Sequence, residues 1–222
     1  MSFLIHFLRA SDFFVDIGAN SGSFTILASS VSGARVEAFE PLRATCDRLL
    51  ANVKLNAVSD RVTVKKIALG SAKGFVKFST NLDSMNHVLR DGECEELSVS
   101  VPRSTLDAEI ETAPQLLKID VEGFEYEVLS GAPQNLSSAS LQAIIIELNG
   151  SGVPYGHSDD EVATILISAG FKPVSYDPKN RKIQPLNSKS NRKGNTIFVR
   201  DLDFVQSRVK NGQAFTVNGI QL

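Results

Sequence analysis

The chain is poor in several features that would place it in a simple class. Its 222 residues include two cysteines, Cys46 and Cys94, too few for a disulfide framework and in keeping with a reducing cytoplasm. Cys46 falls in a helical stretch whose apolar positions include Leu42, Leu49, Leu50 and Val53, the setting of a buried thiol, and Cys94 lies between Glu93 and Glu95, which should keep it protonated. No apolar run approaches the roughly 18 residues needed to cross a bilayer. Neither sign of charge predominates: 23 basic and 25 acidic residues leave a net charge of −2, which argues against a polyanion-binding surface over the whole protein but leaves a local basic patch open. No repeat, low-complexity tract or linker-like shift divides the chain, and 42% apolar content is enough for a sizeable core, so residues 1–222 read as one domain. Residues 2–9 lack the basic start of an export signal and are interrupted by His6. Residues 1–12 therefore read as a short packing segment, and residues 201–222 as a C-terminal tail.

Glycine organises the first informative stretch. Asp16-Ile17-Gly18-Ala19-Asn20-Ser21-Gly22-Ser23-Phe24 ends an apolar run at 13–17 and opens a helical pattern at 23–31. The glycines thus lie at the carboxyl end of a buried strand, where open α/β sheets bind ligands. Gly18 and Gly22 reach positive φ without steric cost and let backbone N–H groups approach a ligand; Asn20 is the non-glycine residue that best tolerates the left-handed region. The dinucleotide fingerprint is missing, since registering it on Gly18 requires glycine where Asn20 and Ser23 stand. Asp16 suits a cationic ligand, whereas a dinucleotide turn receives an anionic pyrophosphate. An alternating stretch at 34–40 then ends in Glu40-Pro41, and a carboxylate at that point accepts ribose hydroxyls. Together these features point to S-adenosylmethionine.

The first half alternates strands at 13–17, 34–39 and 62–68 with helices at 23–31 and 42–55, the order of a doubly wound α/β sheet. Residues 74–79 and 97–101 alternate like the strands of an inserted β-hairpin. Apart from Lys118, the runs at 116–120 and 143–148 are apolar until they reach Asp120 and Glu147, as strands buried on both faces are. Ser158 is placed to cap a helix at 159–169, which Gly170 ends. Residues 171–176 and 195–200 read as a closing antiparallel pair.

Lys118-Ile119-Asp120-Val121-Glu122-Gly123 delivers two carboxylates and a glycine from a buried strand into a helix. With the loop around Gly18 and the Glu40-Pro41 pair, this segment resembles the FkbM family of S-adenosylmethionine-dependent methyltransferases, whose hallmark is K-x-D-x-E-G after the fourth strand. The likeness runs from about residue 13 to 148 and takes in residues 66–70 and 104–107. It implies a class I methyltransferase fold, Rossmann-like, with a mostly parallel seven-stranded sheet whose last strand is antiparallel. It also implies methyl transfer to a hydroxyl of a sugar or polyketide-like metabolite, a small-molecule or glycan acceptor. Asp16, Gly18, Asn20 and Gly22 match the family's donor-binding loop, Glu40 with Pro41 its ribose-binding position, Ala68 and Leu69 its adenine wall, and Asp120 with Glu122 its acidic motif.

A hydroxyl acceptor must lose a proton, so Asp120 and Glu122 are candidate bases, or Asp120 holds the donor's ammonium group. Asp120 is preferred near the methyl; Glu147 and Asn149 end the next strand, and His157 sits on a loop expected to border the cleft. Structural alternatives stand beside these: Glu122 as a helix cap, Glu147 paired with a cation, His157 merely solvated. No spacing is diagnostic of a metal, so none is assigned. The polar residues Asn81, Asp83, Ser84, Asn86 and His87 suit a hydroxyl-rich acceptor or an ordinary loop. Lys179, Arg181, Lys182, Lys189, Arg192 and Lys193 keep open a nucleic-acid methyltransferase, against which stand the lack of a stacking aromatic there and of an Asn/Asp-Pro-Pro-Tyr/Phe motif. A cofactor-binding module without turnover and an oxidoreductase remain the alternatives from other classes.

Overall fold

The computed structural model of the chain describes residues 1–80, 86–90, 92–93, 95–191, 194–214, 216–217 and 220–221. The helix α1 (Ser2–Phe7) leads into β1 (Phe13–Ile17), then α2 (Ser23–Ile26), which continues as a π-helical turn (Leu27–Val31). Next come β2 (Arg35–Phe39), α3 (Arg43–Leu55), β3 (Val62–Lys65), β4 (Ala68–Leu69), β5 (Gly74–Ser79), β6 (Ser98–Ser104) and α4 (Leu106–Glu109). The second half runs through β7 (Leu116–Ile119), α5 (Glu125–Ser130), α6 (Pro133–Ser137), β8 (Ala143–Leu148) and α7 (Asp159–Ser168). It closes with β9 (Lys172–Asp177), β10 (Lys182–Pro185), β11 (Gly194–Val199), α8 (Leu202–Lys210) and the short pair β12 (Thr216–Val217) and β13 (Ile220–Gln221).

The main sheet has the order β3-β2-β1-β7-β8-β11-β9-β10. Its first five strands are parallel, and β11 lies antiparallel between β8 and β9. Eight strands stand where seven were expected, because residues 182–185 turn back on β9 instead of forming loop. Pro185 is tolerated there because an edge strand need not donate every N–H. The inserted hairpin β5–β6 is present and gains β4 as a third strand. The stretch 62–68 thus breaks after Lys65, with β3 in the large sheet and β4 in the small one.

Side-chain alternation sorts the strands' residues onto two faces. Val15, Ile17, Leu117, Ile119, Ile144 and Ile146 join the buried side chains of α5, α6 and α7. Phe14, Val36, Leu116, Ile145 and Val199 join those of α1 and α8. In the opening segment Phe3, Leu4 and Phe7 are buried, and Asp12 pairs with Arg208 of α8. Two polar residues interrupt the second face, Asp16 and Lys118, and they are register partners on β1 and β7.

Candidate active site

The loop after β1 is shaped by backbone contacts that only its composition permits. Gly18 and Ala19 both donate to Phe39 O at 3.0 Å, which ties the loop to the end of β2. Gly18 has φ of +71° and Asn20 of +49°. Asn20 N donates to Glu40 Oε2 and Leu42 N to Glu40 Oε1, each at 3.1 Å. Glu40 is thereby held at the cleft by two N–H groups, and burial pushes its pKa up in spite of them. Gly22, at φ +94°, precedes α2 and leaves no room for a Cβ beside Leu49.

A cleft of about 340 Å³ opens between the tips of β1, β2 and β7. It brings together Gly18, Asn20, Glu40, Pro41, Ala68, Leu69, Asp120 and Glu122. Asp16 and Gly22 do not line it, and the expectation that Asp16 meets a cationic ligand is corrected. Its carboxylate is fully buried, accepts a 2.7 Å hydrogen bond from Thr25 Oγ1, and lies 3.6 Å from Lys118 Nζ. The cation it faces belongs to the protein.

Lys118 belongs to the acidic motif, but no role follows for it from sequence. Its ammonium donates to Gly18 O at 2.9 Å and lies 3.2 Å from Asp120 Oδ2, so one buried cation joins the glycine loop, Asp16 and the acidic segment. Burial opposes that charge, yet the carboxylates of Asp16 and Asp120 outweigh it and raise the lysine's pKa. Within β7 Lys118 interrupts an otherwise apolar run, and that is the signal that would have exposed it.

The acids after β7 sit on a tight turn. Glu122 adopts φ of +54° and Gly123 of +104°, and a Cβ on Gly123 would lie 2.2 Å from Ser151 O. Glu125, the first residue of α5, binds the turn that precedes it: its buried carboxylate accepts from Val121 N at 3.0 Å and Gly123 N at 3.3 Å, and among the described residues no side chain caps the helix start. Glu147 does not line the cleft but arrives from β8, so that one oxygen each of Asp120, Glu122 and Glu147 lies within 4.8 Å of the others. Such crowding holds a shared proton or a hard cation. Burial and then the Asp120 charge push Glu147 up to about 7, and the same causes raise Glu122. Burial takes Glu125 to about 7 as well.

Other candidates lie elsewhere. His157 does not line the cleft; its ring stacks on Tyr126 at 3.5 Å and faces Glu127. Asn149 is exposed and its Oδ1 accepts from Ser151 N. Asn86 reaches the cleft, whereas His87 is buried against Glu93. Asn81, Asp83, Ser84 and Cys94 lie outside the described residues, as do Arg192 and Lys193. Two of the remaining basic side chains turn onto the protein, Arg181 to Gly212 O and Lys189 to Thr164 Oγ1. Cys46 is buried, and burial pushes its thiol to about 11, far from a nucleophile's range. No helix among the described residues is long and apolar enough to cross a membrane.

Known proteins resemble this chain. The hexuronic acid methyltransferase AglP of Haloferax volcanii is 30% identical over 153 residues, covering 66% of this chain and 59% of that protein. The methyltransferase FkbM structure from Methylobacillus flagellatus KT superposes with a TM-score of 0.58 at 17% identity, over 86% of this chain and 44% of its own. A putative rRNA-methylase from Clostridium thermocellum does so with a TM-score of 0.53 at 12% identity, over 90% and 94%. At those identities the two structures establish a shared class I, Rossmann-like fold and nothing finer. The chain spans less than two thirds of the length of the first two relatives. A model of the methyltransferase FkbM domain matches residues 16–173, a span that holds the glycine loop, Glu40 and the whole acidic cluster, and the chain belongs to that family.

Proposed function

We propose that this chain is an S-adenosylmethionine-dependent O-methyltransferase, acting in the cytoplasm as one catalytic domain on a hydroxyl of a sugar or polyketide-like small molecule. The observation that carries this reading is the meeting of three carboxylates beside a cleft built from Gly18, Asn20 and Glu40. The residues fit the donor: Glu40 keeps carboxylate lone pairs for ribose hydroxyls, Pro41, Ala68 and Leu69 form an apolar wall for adenine, and Gly18 and Asn20 leave the backbone open to the amino-acid end. When bound, the donor supplies a methyl group on a sulfonium leaving group.

The protein's own work is orientation and proton removal. Lys118 at 3.2 Å holds Asp120 in position. Burial and then the neighbouring Asp120 charge raise Glu147 to about 7, which matches a general base at neutral pH. Glu147 therefore takes the acceptor's proton and Asp120 orients it, a division of labour that differs from the preference for Asp120 drawn from sequence. The relative named for hexuronic acid supports a sugar acceptor. Arg181 and Lys189, turned onto protein oxygens, weaken the case for a nucleic-acid substrate.

Calorimetry with S-adenosylhomocysteine tests the donor reading. Wild type binds, and Glu40→Ala weakens binding by about 1.5–3 kcal/mol, the scale of hydrogen bonds to a charged group. Unchanged affinity removes Glu40 from the role, and stabilisation by NAD in place of S-adenosylhomocysteine replaces the methyltransferase with a redox protein.

A further inference from the structure

A second cavity, of about 320 Å³, lies on the α1 face of the sheet. Ile145, Val174 and Ile197 form its floor, and Phe24 is a wall of both this cavity and the donor cleft. Its position relative to the acids follows from strand register. Asn195, at the rim, is paired directly opposite Glu147; directly opposed residues share a face with Cβ atoms about 4.5–5.5 Å apart. Ile145 and Ile197, two residues from Glu147 and Asn195 along their strands, are also paired. Glu147 therefore leaves the sheet on the cavity's side. The acids do not line the cavity themselves; Glu147 stands beyond its Asn195 rim, and Phe24 is the side chain it shares with the donor cleft.

The lining suggests what that acceptor is. Among the described residues none of the lining side chains is charged, so recognition rests on shape and hydrogen bonds. Phe3, Phe24 and Tyr176 present aromatic surface, and Tyr176 is held in place by its hydroxyl's hydrogen bond with His6 Nδ1 and by an edge contact with Phe3 at 5.4 Å. Asn191 and Asn195 are exposed at the rim. A side-chain amide offers donors and an acceptor together, the pattern that adjacent hydroxyls complement. The volume is at the small end of ligand sites, about 300–1,000 Å³, which suits one ring and not a polymer segment.

We infer that this cavity is the acceptor subsite and that it takes a single monosaccharide ring, stacked on the aromatic walls and read through its hydroxyls by Asn195 and Asn191. This rests on the methyltransferase reading above and narrows its acceptor to a sugar.

Saturation-transfer NMR on the full chain, with S-adenosylhomocysteine present, tests it with the methyl glycosides of glucose, galactose and glucuronic acid. At least one glycoside is expected to bind wild type, and Asn195→Leu to bind it about fivefold to tenfold more weakly, the scale of a hydrogen bond lost. Calorimetry on the same variant should return the wild-type affinity for S-adenosylhomocysteine, which separates a lost subsite from a lost fold. If S-adenosylhomocysteine binds but no glycoside does, or if Asn195→Leu and Asn191→Leu both retain wild-type glycoside affinity, the subsite assignment is overturned while the donor reading stands. If S-adenosylhomocysteine does not bind wild type, the donor reading fails and this inference with it.

Discussion

Gly18 and Asp120 meet backbone to backbone: a Cβ built on Gly18 would stand 1.8 Å from the carbonyl oxygen of Asp120. The glycine loop and the acidic segment are therefore a single packed unit at the tips of neighbouring strands. A methyl group at 18 must either push the acids away or move the loop off β2, and its φ of +71° is strained for any L side chain. Gly18→Ala should lose about 2–4 kcal/mol of stability from overpacking and strain together. Its affinity for S-adenosylhomocysteine should fall as well. Urea unfolding and calorimetry read the two effects, and an unaltered variant would mean the two segments are not coupled.

Lys118 is expected to be costly to remove. Lys118→Met leaves Asp16 fully buried with Thr25 as its hydrogen-bond donor and no cation. Stranding one member of a buried pair costs about 3–5 kcal/mol. Adding Asp16→Asn removes the stranded charge, so the double variant should recover part of that loss. Denaturant unfolding of the four proteins in this cycle gives the coupling, and strict additivity would deny it.

Stability should fall as pH rises from about 4.5 to 7. Folded Glu125, 3% exposed, keeps its proton up to about 7 instead of the ordinary 4.5. Between those values the folded chain holds a proton that the unfolded chain has released, and stability declines with pH in that window. Above it the curve levels. The effect is on the order of 2–3 kcal/mol. Glu125→Gln retains an oxygen for Val121 N and Gly123 N but cannot ionise, so unfolding measured at pH 5 and pH 8 should differ less for the variant than for wild type.

Glu147→Gln should reduce kcat/KM by about 10²–10⁴-fold, the usual contribution of general-base catalysis. In wild type, activity should rise through pH 7 as Glu147 loses the proton that burial and Asp120 hold on it. The variant should lack that limb while binding S-adenosylhomocysteine normally. A variant that keeps both the rate and the limb assigns the proton to another group.

Some of this arrangement is legible in local sequence because it depends on near neighbours. Phe13–Ile17 and Ala143–Leu148 read as buried strands from composition alone, since a strand covered on both faces needs no alternation. Ser158 and Glu161 form the reciprocal cap at the start of α7 that their spacing allows. The order of elements and the hairpin insertion were equally visible. The eighth strand was not: residues 182–185 are too short and polar to read as a strand and become one by pairing with β9. His157 looked like a cleft residue because it follows β8, but the turn carries it onto Tyr126 instead.

Local chemistry determined where the chain turns, which runs are buried, and that a glycine loop, a ribose-type carboxylate and an acidic segment exist. Those properties follow from backbone sterics and hydrophobicity within a few residues. Tertiary structure alone decided their partners. Asp16 and Lys118 are 102 positions apart and become an ion pair only because β1 lies beside β7. Glu147 gains its raised pKa only where the fold buries it and β8 brings it to Asp120, and Asn195 comes opposite it only through the antiparallel return of β11. Charge interactions and desolvation depend on distance in space, a quantity set by the order of the strands in the sheet.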